Sequence, residues 1–244
     1  MNSFDEVVSL GYNCEISFRL ENCFGKINSW PFSWSFILDR SLFLESLNHM
    51  DEIFQDSVSI CTDPRVNAMV QCDKYKICFH PRGQYVDKNG HVIEDRFFPE
   101  GEAELKSRVK YLVEKFSRLQ KDKNKRTLLI CGIEEDDQDD TIEFITKLDE
   151  AIRARFYSNN YVLLIVLPKS KFNKEIKRLE SQQLKIRKIR HFGVQKCNDI
   201  STDMNGWGRI FFEFLGVKKS FSFYHRLTKH RIVRVYGAIK KRIH

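Results

Sequence analysis

Tyr161-Val162-Leu163-Leu164-Ile165-Val166-Leu167 is an unbroken apolar run of strand length, and its reading decides the fold. Near-continuous apolar strands of this kind have both faces buried, the condition of a central strand in a parallel sheet. On its N-terminal side Ile142, Ile145, Leu148, Ile152 and Phe156 recur at helical spacing, and Asp140 with Glu143 gives a capping-box pattern at the start of that stripe. Further upstream, Leu105, Val109, Leu112, Val113, Phe116 and Leu119 make another helical stripe, followed by an apolar strand over residues 127–133. Downstream, a helix is expected around residues 171–181 and a strand around 184–192. Strands alternating with helices predict a three-layer α/β domain: a mostly parallel central sheet with helices on both faces.

The N-terminal half follows less regularly. Residues 6–10 (EVVSL) read as a short buried strand stopped by Gly11, and residues 15–21 have helical character. The Phe- and Trp-rich residues 30–50 predict a helix after Pro31 that packs over the first one. Residues 75–80 (YKICFH) and 91–98, joined by a turn at 87–90 (DKNG), predict a β-hairpin.

A chain of 244 residues, 42% hydrophobic and carrying 20 Phe, has enough apolar surface for one substantial core. There is no apolar run long enough to span a bilayer and no basic flank with a long apolar stretch at the N-terminus, so a cytoplasmic protein is expected. Seven cysteines without paired spacing fit reduced thiols, and the absence of CxxC or HxxxH spacing gives a structural zinc site no support. The net charge of +8 is local. Residues 218–244 hold nine Lys or Arg and no acid, which leaves 32 basic and 33 acidic residues in 1–217. Ile232, Val235, Tyr236, Ile239 and Ile243 form an apolar stripe in that basic segment, the pattern of an amphipathic helix. The chain thus divides into an α/β body, 1–217, and a basic tail, 218–244, suited to an anionic membrane surface at the inner face. Nucleic acid is the weaker partner, because base-stacking motifs and basic patches are missing from the body.

In open α/β sheets ligands gather beyond the carboxyl ends of the strands. Gly11-Tyr12-Asn13-Cys14 occupies that place after the first strand, and a thiol at the start of a helix meets unpaired N–H groups that favour a thiolate and an oxyanion. Cys14 is therefore either a nucleophile or a small buried packing residue. Its base would be His80, beside the cation Arg82, or His191; each histidine reads equally well as an ordinary surface or core residue. Asn198, Asp199 and Asp203 are candidate orienting partners. The acids at 134–137, 139 and 140 read as helix N-terminal acids sooner than as metal ligands, and no metal or certain cofactor is expected.

Several of these residues fall into a pattern. Val8-Ser9-Leu10-Gly11-Tyr12-Asn13-Cys14 with Arg19-Leu20, then Pro31-Phe32-Ser33-Trp34, the strand end at His80, and Asn205-Gly206-Trp207-Gly208-Arg209-Ile210-Phe211 resemble a bacterial family of papain-like cysteine peptidases over most of residues 6–215. The resemblance implies Cys14 and His80 as the reactive pair, with Trp34 and Trp207 shaping the site. Where that family carries Asp in its Pro-Phe-Asp-Trp element this chain has Ser33, which puts an orienting or substrate-binding role there in doubt. Such proteins are similar to cysteine enzymes encoded with bacterial surface-polysaccharide genes. The expectation is a Cys14-dependent acyl-transfer enzyme, with Gly11, Asn13, Ser33, Trp34, Arg82, His191 and Trp207 lining the substrate and Asp203 assisting. Its donor would be an acyl group, for instance on coenzyme A, and its acceptor a saccharide or water. A peptidase acting on peptides and a non-catalytic glycan- or nucleotide-binding module are the competing expectations.

Overall fold

Strand β7 (Tyr161–Pro168) is buried at all 8 positions. It pairs in parallel with β6 (Thr127–Gly132) on one side and β8 (Leu184–Ile189) on the other, and β6 pairs in parallel with β1 (Glu6–Ser9). The four-stranded sheet has the order β1-β6-β7-β8. The computed structural model describes residues 4–11, 14–24, 28–63, 66, 68–135, 140–156, 159–190, 192 and 203–216. The expected tail helix at 218–244 lies outside the described residues.

The helices are α1 (Glu15–Phe24), α2 (Arg40–Asn48), the short α3 (Glu94–Arg96), α4 (Glu102–Lys121), α5 (Thr141–Arg155), α6 (Lys174–Arg178) and α7 (Met204–Leu215). Alternation along β6 and β7 divides the core in two. Leu129, Cys131, Leu163, Ile165 and Leu167 pack with Phe43 and Leu47 of α2, Val109 and Phe116 of α4, and Ile145, Leu148 and Ile152 of α5. Leu128, Ile130, Val162, Leu164 and Val166 pack with Ile16 and Leu20 of α1 and with Trp207, Ile210 and Phe211 of α7. Each fully buried aliphatic or aromatic side chain contributes roughly 1.5–3 kcal/mol, so the doubly covered strands carry most of the driving force. Asp140 caps α5 by accepting from the N–H groups of Ile142 and Glu143, as the capping pattern predicts.

Between α1 and α4 the structure departs from the sequence reading. Residues 31–34 form a turn, β2 (Ser35–Ile37) follows, and a helix starts only at Arg40, capped by Asp39. A helix beginning at Pro31 is excluded because β2 is needed as a strand: it pairs antiparallel with β5 (Ile77–Phe79). The expected hairpin is also corrected. β5 pairs with β4 (Val70–Cys72), β4 pairs with β3 (Val58–Ile60), and the second sheet has the order β2-β5-β4-β3. Residues 91–98 contribute only one bridge, Val86 to Val92, before the chain turns helical at Glu94. Asp87 accounts for this: its carboxylate accepts the N–H groups of Asn89 and His91 and closes the turn on itself.

Candidate functional site

Ser9 ends β1, yet the parallel ladder runs one step further, with the Leu10 N–H donating to the Ile130 carbonyl at 2.9 Å. Gly11 then reverses the chain at φ +81°, a conformation suited to glycine. A Cβ there would lie 3.0 Å from the Phe32 carbonyl oxygen and 3.1 Å from Ser35 Oγ, so the Gly11 turn sits directly against the 31–35 turn. Further bonds fix that contact. The Ser17 hydroxyl of α1 donates to the Ser33 carbonyl, and Ser35 Oγ donates to the Phe32 carbonyl at 3.0 Å.

Ser33 is buried, and its Oγ accepts the Trp30 N–H at 2.9 Å. The serine hydroxyl thus closes the 30–33 turn onto the backbone. Gly11 and Ser33 are thus brought together as the frame of the site.

Cys14 precedes the first residue of α1 and is half-buried; its carbonyl accepts the Phe18 N–H at 3.0 Å, which makes it the N-cap position. Phe18, one turn along, meets the half-buried Trp34 ring edge to face at 5.1 Å. Ser35, the first residue of β2, pairs with Phe79, the last residue of β5; Trp34 immediately precedes β2 and His80 immediately follows β5. Cys14 is thus linked through Phe18 to Trp34, which precedes β2, while His80 follows β5, the strand paired with β2.

The His80 backbone is tied to α4, whose Arg108 Nη2 donates to the His80 carbonyl at 2.7 Å. His80 as a whole is exposed, but neighbours crowd its imidazole. That desolvation moves its pKa below the ordinary histidine value, against a hydrogen bond to the Ala68 backbone, and the charge of Arg108 acts in the same downward direction. A histidine so shifted is neutral at neutral pH, the form a base requires. Arg82 is exposed and pairs with Glu104, which also accepts the Tyr85 hydroxyl at 3.3 Å.

Asp203 stands elsewhere, at the β8–α7 junction. Its Oδ1 accepts the Gly206 N–H at 2.8 Å and its Oδ2 accepts the Arg190 N–H at 2.7 Å, so both oxygens serve the backbone as cap and tether. Trp207 is fully buried in the core shared with α1, and it reaches the site through its indole N–H, which donates to Glu15 at 3.0 Å. Glu15, beside Cys14, is itself fully buried and pairs with Arg19 at 3.5 Å. The sequence reading passed over Glu15 because an acid in the first turn of a helix ordinarily faces solvent. Arg108 was passed over because its contact is with a backbone carbonyl 28 residues away. Asn13, His191, Asn198 and Asp199 lie outside the described residues.

Among the described residues no group of three His, Cys, Asp or Glu is placed to hold a metal ion, and no helix is long and apolar enough to cross a membrane. No family model, curated protein or solved structure matches the chain.

Proposed function

We propose that the chain is a cysteine-dependent acyl-transfer enzyme with Cys14 as nucleophile and His80 as its base. What supports this reading is Cys14 at the N-cap of α1, with Phe18 one turn along against Trp34, and His80 directly after β5, the strand that pairs with β2. Neutral His80 takes the thiol proton. The thiolate attacks the acyl carbonyl, and N–H groups at the start of α1 stabilise the oxyanion. His80 returns the proton to the leaving group, and a saccharide hydroxyl or water then resolves the thioester. Arg82 supplies positive charge for an anionic donor such as coenzyme A. In this reading the domain is three-layered, works in the cytoplasm in surface-polysaccharide assembly, and is held at an anionic membrane face by residues 218–244. A truncation at Val217 that leaves membrane association unchanged would remove that last element.

The test is the pH dependence of Cys14 alkylation, read by mass spectrometry against the other six cysteines, in wild type and His80→Ala. Fast labelling of Cys14 below neutral pH that slows in the variant supports the pair, and substrate profiling then separates acyl transfer from peptide hydrolysis. Labelling no faster than at the other cysteines sinks the nucleophile and leaves a binding module.

A further inference from the structure

The Sγ atoms of Cys61 and Cys78 lie 3.2 Å apart, and both residues are in the reduced thiol form. Cys61 follows β3, the outer strand of the antiparallel sheet, while Cys78 is the middle residue of β5. The two side chains join a small apolar cluster of their own with Phe36, Val66 and Met69, apart from the two main cores. Cys61 is half-buried and Cys78 is fully buried.

We propose that Cys61 and Cys78 form a modification site: a dithiol that closes to an intramolecular disulfide by exchange with a low-molecular-weight disulfide of the glutathione type. Accessibility assigns the roles. The Cys61 thiolate attacks one sulfur of the reagent, the reagent's S–S bond breaks, and one small thiol leaves. The Cys78 sulfur then attacks Cys61 Sγ, the mixed-disulfide bond breaks, and the Cys78 proton goes to the departing thiolate, which leaves as the second small thiol. Two protein thiols are oxidised and one reagent disulfide is reduced to two thiols.

Closure shortens the sulfur separation to about 2.05 Å, an approach of about 1 Å. β4 stands between β3 and β5 and the Cys61 N–H donates to the Met69 carbonyl at 3.0 Å, so closure also draws the segment that leaves the outer strand β3 toward β5. The device also lies close to the candidate site. Cys78 precedes His80 by two residues, and Met69 of the same cluster follows Ala68, whose backbone bonds to His80. The chemistry of the pair is independent of the acyl-transfer reading.

The experiment exposes the reduced full chain to oxidised glutathione, quenches with N-ethylmaleimide and maps the products by mass spectrometry in wild type, Cys78→Ser and Cys61→Ser. The expected wild-type product is a Cys61–Cys78 cross-linked peptide. In Cys78→Ser the reaction stops with glutathione held on Cys61, and in Cys61→Ser position 78 stays unmodified. Equal glutathione on Cys61 in wild type and Cys78→Ser overturns the proposal. The wild-type map decides alone if Cys78→Ser does not fold, because the absence of the cross-link there is equally fatal.

Discussion

The indole N–H of Trp207 donates to the carboxylate of Glu15 at 3.0 Å, with both residues buried, and so fastens α7 to the first turn of the helix that begins after Cys14. Trp207→Phe keeps most of the ring in the core but removes the donor. A buried acceptor that loses a partner costs about 1–3 kcal/mol. Urea unfolding should show a lower midpoint with an unchanged slope. A midpoint equal to that of wild type would mean that the Trp207 donor adds nothing to the hold on the carboxylate.

The parallel sheet was legible because β7 is apolar at every position and the helical stripes on either side have the right length. The second sheet was not. Each of its strands spans 3 residues, too short for period-two alternation to register, and β2 follows a Pro-containing turn that imitates a helix start. Cys14 and His80 could be singled out because glycine and strand ends punctuate the sequence there. Glu15, next to Cys14, is set by burial, and Arg108 holds His80 through a backbone carbonyl; neither leaves a mark on residue spacing.

The lowered pKa of His80 has a consequence for stability. Its folded-state value lies below that of the unfolded chain, about 6.5, so between the two the unfolded state binds more protons and stability falls as pH drops. From about pH 7 to about 5.5, wild type should therefore lose stability more steeply than His80→Gln. Arg108→Met removes a nearby positive charge, so the His80 titration followed by NMR should move upward. An unmoved titration would show that the Arg108 charge is not felt at the imidazole.

Gly11→Ala sets two costs at one position. The residue needs φ +81°, and its new Cβ would press on the Phe32 carbonyl oxygen at 3.0 Å, a backbone atom that cannot turn aside. Left-handed backbone alone costs a non-glycine residue about 1–2 kcal/mol. The variant should unfold at a lower urea concentration and should also label differently at Cys14, because the 31–35 turn and the start of α1 share this contact. Reduced stability with unchanged Cys14 labelling would separate the Gly11 turn from the thiol's environment.

Gly132, the last residue of β6, offers a way to reach the same helix through the core that α1 and α7 share on this face of the sheet. A Cβ at Gly132 would fall 1.8 Å from Phe192 Cζ, so Gly132→Ala must evict a buried ring. That ring lies 6.0 Å from the Trp207 ring, and Trp207 in turn holds Glu15. Overpacking of this kind costs about 1–3 kcal/mol when neighbours have to move. Phe192→Ala alone opens a cavity and should be destabilising too, by about 3–5 kcal/mol. In the double variant the new methyl enters space that the ring has vacated, so its total cost should be clearly less than the sum of the single costs. That sign of coupling follows from the two groups competing for one volume. Strict additivity in urea unfolding would show that the ring escapes Gly132→Ala without disturbing Trp207, and would break the line of contact from β6 to Glu15.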